Sequence, residues 1–268
     1  MDNNSSDGTR QIAEYFSRTM PQRFRYLYEP KPGKSNALNS GIKEARGEIL
    51  AFLDDDVVVE SDWLDRLTAP LRDARWVGVG GKIIPDGEFH PPNWIPLRER
   101  YALAPLAMFD LGSNPEELRE APFGTNMAFR KSVFAKLGDF RVDLGPQPGS
   151  AIRSEDTEFG YRVLKDGLRL WYEPSAIVYH SLAPNRLRKS YFLKWWHDKA
   201  RADLRCNGVP AETKLFLFGI PLVFLRRFGV WTFRWLVSFN PARRFGAKLK
   251  VWTIAAQIKE YRRLHADN

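Results

Sequence analysis

Short apolar segments and amphipathic segments alternate along residues 9–180 of this chain. The apolar segments have the length and composition of buried strands and lie at 24–28, 48–53, 76–84, 123–129, 168–172 and 176–180. The amphipathic segments predict helices at 9–18, 34–46, from Ser61 onward, 131–137 and 154–165. Strands that alternate with helices predict an α/β fold whose mixed, mostly parallel sheet carries helices on both faces.

The carboxyl-terminal third differs in composition from the rest of the chain. Residues 184–268 contain 18 Lys and Arg but 5 Asp and Glu, whereas residues 1–183 carry a small excess of acidic side chains. We therefore predict an α/β domain over 1–183 and a helical, basic, Trp-rich region over 184–268.

The basic region also contains an uncharged, mainly apolar stretch. Residues 215–225 carry no charge, and Arg226, Arg227, Trp231, Arg234 and Trp235 follow them. Cationic helices that carry Trp bind anionic membrane surfaces, and this is the interpretation we favour. The alternative is a helical cap packed on the α/β domain. No nucleic-acid-binding motif is present, so we expect no nucleic-acid partner.

Cysteine content and hydropathy limit where the protein works. The chain contains one cysteine, Cys206, which excludes an internal disulfide and fits a reducing compartment. We see no signal peptide and no run of about 18 apolar residues. We therefore expect a cytoplasmic protein that is peripheral on the cytoplasmic face of a membrane.

Three consecutive carboxylates, Asp54, Asp55 and Asp56, follow the apolar segment that ends at Leu53. Ligands of open α/β sheets bind at the carboxyl ends of strands. Clustered carboxylates repel one another unless a cation is present, and oxygen ligands suit Mg²⁺ or Mn²⁺ better than Zn²⁺. The alternative is a solvated acidic turn.

Three further polar motifs are individually weak. The polar opening at 2–9 fits either a binding loop or a frayed terminus. Lys34 lies at a predicted helix start, which favours phosphate, but the glycine needed for a Walker loop is replaced by Tyr28. Glu155 and Asp156 lie in a first helical turn, where acidic residues are common, after the Gly- and Pro-rich loop 145–149. A carboxylate there is also a candidate general base.

Taken together, these motifs resemble the family 2 glycosyltransferases in order and rough spacing. The resemblance covers about residues 1–183 and rests on these segments: 2–9, 31–41, 52–56, 123–126 and 154–156. It implies the GT-A fold, nucleotide-sugar donors, Mg²⁺ or Mn²⁺, and transfer with inversion.

The resemblance also implies roles for individual residues. It assigns donor binding to Asp2, Asn4, Lys34, Asp54 and Asp55, metal binding to Asp56, Asp54 and His180, the acceptor side to Gly124, Thr125 and Asn126, and catalysis to Asp156 with Glu155. Asp2 resembles the residue that contacts the donor's base, and Asp156 resembles the base that deprotonates the acceptor. His180 could equally be a hydrogen-bonded histidine at a strand end.

We therefore predict transfer of a single sugar, from a UDP-sugar in preference, to a glycan or lipid-linked hydroxyl acceptor in cell-surface glycan or glycolipid synthesis. The Gln-x-x-Arg-Trp motif of processive synthases is absent, and Trp195-Trp196 does not replace it. The alternatives are a nucleotidyltransferase of similar fold and a degenerate relative that binds a membrane or a partner without turnover.

The resemblance implies one difference at the amino terminus. In the family, an apolar strand, a helix and a second strand precede the motif that begins here at Asp2. We expect the chain as printed to lack this unit, and therefore to be poorly soluble and inactive by itself.

Overall fold

The structure, a computed structural model, describes residues 1–99, 102–146, 152–211 and 213–265. The helices are α1 (Thr9–Thr19), α2 (Lys34–Glu44), α3 (Trp63–Thr68), α4 (Lys131–Leu137), α5 (Glu155–Lys165), α6 (Lys189–Asn207), α7 (Leu222–Val237) and α8 (Pro241–Leu264). The strands are β1 (Ile49–Leu53), β2 (Val57–Val59), β3 (Trp76–Pro85), β4 (Glu116–Leu118), β5 (Asn126–Arg130), β6 (Arg169–His180), β7 (Phe216–Leu217) and β8 (Ile220–Pro221).

Six of these strands form one central sheet in the order β1-β5-β3-β6-β2, with β4 paired to β6. The β3–β6 pair is parallel, and the other four pairs are antiparallel. The sheet is mixed, as predicted, with more antiparallel than parallel pairs among the described strands. Strands β7 and β8 form a separate hairpin.

Apolar side chains cover both faces of the sheet, because alternate strand residues point to opposite sides. On one face, helices α4 and α5 bring Phe134 and Phe159 against Phe129 of β5, and the rings of Phe134 and Phe159 stack 4.4 Å apart. On the other face, Trp63 and Leu67 of α3 pack on the sheet. The predicted arrangement of helices on both faces is confirmed.

Pairing between β3 and β6 is irregular near the middle of the sheet. Gly81 lies opposite Glu173, but the next residue, Lys82, lies opposite Ile177. At this irregularity the side-chain amide of Asn126 donates to the carbonyls of Lys82 and Ala176, at 2.9 and 2.8 Å. A Cβ atom on Gly81 would lie only 2.3 Å from the Asn126 amide nitrogen, so glycine leaves room for this contact.

Helices α6 and α8 pack against each other through a buried ion cluster. Glu260 of α8 is 1% exposed and accepts hydrogen bonds from Arg201 and Arg205 of α6 and from Arg263. Burial by itself raises the pKa of Glu260, but the three arginines lower it to about 2. Cys206, near the end of α6, packs against a small cluster of buried side chains: Leu144, Ile152 and Ala202.

Most predicted helices are confirmed in place, with ends within a few residues of those expected, and α4 has the predicted bounds. Segment 24–28, predicted as a strand, contributes a single parallel bridge between Tyr28 and Asp2, where the Asp2 backbone hydrogen-bonds to Leu27 and Glu29. The two strands predicted at 168–172 and 176–180 form one strand, since the irregularity beside Asn126 accommodates the residues between them.

Candidate active site

A cavity of about 450 Å³ brings together most of the predicted catalytic and metal-binding side chains. It lies where β1 and β6 end and α2 and α5 begin. Its polar lining includes Lys34, Asp54, Asp56, Thr125, Glu155, Asp156 and His180. Helix α6 closes one side with aromatic residues, so the cavity has a charged wall and an apolar wall.

Asp156 is fixed at this cavity by backbone and side-chain donors. The backbone N–H of Gly124 donates to Oδ2 at 2.7 Å, and the backbone N–H of Thr157 donates to Oδ1 at 2.6 Å. The Thr157 hydroxyl also donates to Oδ1 at 3.1 Å. A carboxylate has about four lone-pair sites, so Asp156 retains the capacity to accept one more hydrogen bond from a ligand.

Lys34 lies between two carboxylates. Its Nζ atom is 2.5 Å from Asp54 Oδ1 and 3.9 Å from Glu155 Oε1. Burial by itself would lower the pKa of Lys34, but Asp54 and Glu155 raise it above its ordinary value. Burial would raise the pKa of Asp54, but Lys34 and the Thr125 hydroxyl bring it below its ordinary value. Both groups are therefore charged at neutral pH.

Glu155 differs from Asp156 in its surroundings. It is 4% exposed, and burial, followed by the neighbouring Asp156, raises its pKa to about 7. Its Oε2 accepts the backbone N–H of Ser154 at 3.2 Å. The half-buried Asp156 is thus better placed to meet a ligand, and Glu155 is better placed to hold Lys34.

Asp56, His180 and Arg186 form a second charged group at the cavity. Arg186 Nη2 is 3.1 Å from Asp56 Oδ2, and Arg186 Nη1 is 2.9 Å from His180 Nε2. His180 Nε2 lies 3.5 Å from the same Asp56 oxygen. Burial lowers the pKa of His180 below its ordinary value. Among the described residues, no three His, Cys, Asp or Glu side chains are close enough to form a metal site by themselves.

A wide groove along β1 meets the cavity at Lys34, Asp54 and Asp56. This groove has a volume of about 940 Å³, and Asp2 and Asp55 also line it. Asp2 is buried and accepts the Tyr26 hydroxyl at 2.7 Å and the Ser5 N–H at 3.0 Å; Asp55 is exposed. Asn4 has a left-handed backbone conformation and accepts the Tyr28 hydroxyl at 2.7 Å.

The three residues predicted for the acceptor side have different positions. The Thr125 hydroxyl donates to Asp54 Oδ2 at 2.7 Å and lines the cavity. Gly124 contributes its N–H to Asp156, and a Cβ atom there would lie 3.1 Å from Asp156 Oδ2. Asn126 is fully buried beneath the cavity, where it also accepts the Trp63 Nε1–H at 2.9 Å. Its side-chain oxygen and nitrogen are therefore both occupied by hydrogen bonds within the fold.

The family model described as "Glycosyl transferase family 2" matches residues 1–138, just over half of the chain. The chain belongs to glycosyl transferase family 2. The match covers the opening motif, Lys34, the three consecutive carboxylates and Gly124, all of which had been assigned by resemblance.

Curated relatives of this family 2 glycosyltransferase include two proteins of Haloferax volcanii. Glucosyl-dolichyl phosphate glucuronosyltransferase is 26% identical over 72% of this chain and 63% of its own length. Glycosyltransferase AglE is 30% identical over 69% of this chain and 56% of its own length. The succinoglycan biosynthesis protein ExoM of Rhizobium meliloti is 28% identical over 72% and 59%, respectively. The matched part of this chain thus spans between half and two thirds of these relatives' lengths.

Among solved structures, a mannosyltransferase from Pyrobaculum calidifontis, determined with GDP-mannose and Mn²⁺, has a similar fold. The TM-score is 0.53 at 17% sequence identity, and the match covers 99% of this chain and 64% of the mannosyltransferase. The predicted GT-A fold of this family 2 glycosyltransferase is confirmed.

Several cavity residues of this family 2 glycosyltransferase were not predicted from the sequence. Arg186 lies on a 3-10 turn, Pro184–Leu187, directly after β6. Tyr191, Trp195 and Lys199 recur every four residues along α6 and therefore share one helix face, which lines the cavity. This periodicity is the signal that could have identified them. The cavity thus crosses the predicted boundary at 183/184. The Gly-rich loop 145–149, predicted to lie beside the base, falls largely outside the described residues.

Proposed function

We propose that this family 2 glycosyltransferase moves one sugar from a nucleotide-sugar donor, UDP-linked in preference, to a hydroxyl acceptor with inversion. The observation that carries the proposal is the position of Asp156. Its carboxylate is held by Gly124 and Thr157 and faces the cavity that also contains Lys34, Asp54 and Asp56.

The groove along β1 is the proposed donor side. Its position supports this, because it joins the catalytic cavity at Lys34 and Asp54. Asp2 would contact the base of the nucleotide, and Lys34 would lie near the diphosphate. Lys34 is positively charged at the start of α2, where both the side chain and the helix terminus favour phosphate.

The aromatic wall of the cavity is the proposed acceptor side. Tyr191, Trp195 and Trp196 present rings towards the cavity, and such surfaces pack well against the apolar faces of sugars and lipids. A glycan or lipid-linked acceptor would lie between this wall and Asp156. The acceptors named for the curated relatives include a dolichyl phosphate-linked sugar, which supports this class.

In the proposed step, Asp156 takes the proton of the acceptor hydroxyl as its oxygen attacks the anomeric carbon. The bond from that carbon to the diphosphate oxygen breaks, and the nucleoside diphosphate leaves with the electron pair. A single displacement inverts the anomeric centre. Positioned base catalysis of this kind contributes roughly 10²–10⁴ to the rate.

The donor set at the cavity fits a hard divalent ion, Mg²⁺ or Mn²⁺. Asp56 and His180 would hold it, and oxygens of the nucleotide sugar and water would complete the shell, with Asp54 in the same cavity. The mannosyltransferase of similar fold was solved with Mn²⁺, which supports this choice. When bound, such an ion neutralises charge on a departing diphosphate. In the structure, Arg186 and Lys34 supply the positive charge beside these carboxylates.

We further propose that the protein works on the cytoplasmic face of a membrane. No helix in the described parts of the chain is long and apolar enough to span a bilayer. Its basic carboxyl-terminal region and single cysteine support a peripheral position in a reducing compartment.

The decisive experiment is transfer from nucleotide sugars by Asp156→Asn, compared with Glu158→Gln. Glu158 lies on the same helix but is paired with Arg162 at 2.8 Å and does not line the cavity. We expect Asp156→Asn to bind UDP like the parent and to transfer roughly 10²–10⁴-fold more slowly, and Glu158→Gln to stay near the parent rate.

Three outcomes would contradict the proposal. Equal transfer rates would exclude Asp156 as the base. Release of pyrophosphate in place of a nucleoside diphosphate would indicate a nucleotidyltransferase. Donor binding without turnover by the parent, with every donor and acceptor offered, would favour a non-catalytic relative.

A further inference from the structure

Exposed apolar side chains are concentrated in the segment from Leu215 to Phe239. Nine of the 24 exposed large hydrophobic residues in the described chain lie in these 25 positions. Phe218, at the tip of the β7–β8 hairpin, is 89% exposed, and Phe239, just beyond α7, is 97% exposed. Solvent exposure of this density marks an interaction surface.

The hairpin holds Phe218 in its exposed position through its backbone. Phe218 and Gly219 both have positive φ values, 51° and 70°, as the central residues of tight hairpin turns do. A Phe in the left-handed region is uncommon. The turn therefore projects a large apolar ring from the surface.

Helix α7 continues the same surface. Its inner side packs on α8 through Phe224 and Trp231. On its outer side, Val230, Phe233 and Leu236 are 52%, 66% and 68% exposed. This spacing of three residues keeps them on one face of the helix. The β7–β8 hairpin, the outer face of α7 and Phe239 are called the apolar ridge below.

The charged residues of the segment that carries the apolar ridge have one sign. Residues 213–259 contain nine Lys and Arg residues and no Asp or Glu. Arg226, Arg227 and Arg234 are exposed on α7 itself. Glu260, the next acidic residue, is buried and already bound by three arginines.

A groove of about 550 Å³ lies beside the hairpin and combines both properties. Leu215, Leu222 and Val230 contribute apolar surface to it, and Lys214 and Arg226 contribute positive charge. Such a groove suits an acyl chain that is attached to a negatively charged group.

We propose that the apolar ridge inserts into an anionic lipid bilayer, with the arginines of α7 against the headgroups. This inference rests on the membrane association proposed above and names the surface responsible. A second copy of the chain is a poor occupant, because it would bring two sets of like-charged arginines together. Lipid phosphates carry the negative charge that attracts the arginines, and acyl chains accept the exposed rings.

The test measures binding of the full chain to two kinds of vesicle at physiological ionic strength. One contains phosphatidylcholine alone, and the other contains phosphatidylcholine with about 30% phosphatidylglycerol. We expect binding to the anionic vesicles. Phe218→Ser and Phe239→Ser should each weaken it about tenfold, since each ring buries apolar area. Leu64→Ser is the matched control, because Leu64 is 52% exposed on α3, and it should bind like the parent.

The charge component is tested by Arg226→Gln and Arg234→Gln. Each should weaken binding about fivefold, as expected for one basic residue at an anionic surface. Arg23→Gln is the control, because Arg23 is exposed and lies near the amino terminus, outside the basic region; it should have no effect.

Four results would overturn the proposal. These are absence of vesicle binding, binding that the Phe variants do not change, equal binding to neutral vesicles, and a dimer in solution that the Phe variants dissociate. Transfer to a water-soluble acceptor is measured in parallel. The Phe variants should retain it, so failure of the membrane proposal is distinguishable from failure of the proposed enzyme activity.

Discussion

Asn126 offers a sharp test of whether a residue of the family motif serves the fold or the substrate. We predict that Asn126→Leu destabilises the protein while the cavity side chains remain intact. The native side chain makes three hydrogen bonds: those with Trp63 Nε1 and the Ala176 carbonyl are buried, and that to the Lys82 carbonyl is partly buried. Leucine has a similar size but can replace none of them.

The expected loss follows from counting the groups left without partners. One N–H and two carbonyls would lose this partner, and a buried group left unsatisfied costs about 1–3 kcal/mol. Apolar contacts of the new leucine offset part of this, so we expect a loss of about 3–5 kcal/mol in the free energy of unfolding. Asn126→Asp should cost at least as much, because it sets a carboxylate oxygen against two carbonyls.

Urea unfolding followed by tryptophan fluorescence measures this loss, with Asn39→Leu as the control. Asn39 is half-buried and makes two hydrogen bonds with the backbone of Phe140. Its replacement should cost less, about 1–2 kcal/mol. If Asn126→Leu were as stable as the parent but failed to transfer sugar, Asn126 would act on the acceptor, and the structural explanation would be wrong.

Three further predictions concern other parts of the molecule. Gly124→Ala should reduce kcat about three- to tenfold with donor affinity unchanged, because its Cβ atom displaces the carboxylate of Asp156, the proposed base, by a few tenths of an ångström. Gly229→Ala, which meets open space, is the control and should leave kcat unchanged. The Arg186→Gln variant should bind Mn²⁺ about five- to tenfold more tightly in the absence of the sugar donor, because a cation that competes for Asp56 is removed. Electron paramagnetic resonance measures this affinity, and an unchanged affinity would exclude competition between Arg186 and the metal. Glu260→Gln should lower the free energy of unfolding at pH 7 by about 3 kcal/mol, because the folded protein lowers this pKa from 4.5 to about 2. That contribution is complete above about pH 4.5 and is lost as the pH falls towards 2, so parent and variant should converge in acid, and a constant difference across this range would contradict the assignment.

The sequence was sufficient to predict features that depend on local pattern. Helix α4 has the predicted bounds, because the spacing of its apolar residues and the strand directly before it leave little room for other helix ends. The position of the three carboxylates at the end of β1 could be predicted in the same way, because they directly follow a short apolar segment. Asp156, Asp54 and Lys34 were assigned by resemblance, and the structure brings them to one cavity.

Features that depend on tertiary contacts could not be predicted. Asn126 was assigned to the acceptor side by resemblance, and the sequence does not reveal that its amide donates to two carbonyls at an irregular strand pair. Arg186 was not predicted because only folding brings it to Asp56, 130 residues earlier in the chain. The different exposure of the two last helices also depends on tertiary contacts. Helix α8 is buried against α6, whereas one face of α7 remains exposed.

Cys206 has a practical consequence for studying the motions of this protein. It is the only thiol in the chain, and burial raises its pKa to about 11, so it reacts slowly while the end of α6 stays packed on Leu144. The rate of thiol labelling is therefore sensitive to how tightly this end of the helix stays packed. Helix α6 also carries Trp195 into the cavity. The labelling rate of the native thiol can therefore show, without an added probe, whether a ligand changes the packing at this end of the helix.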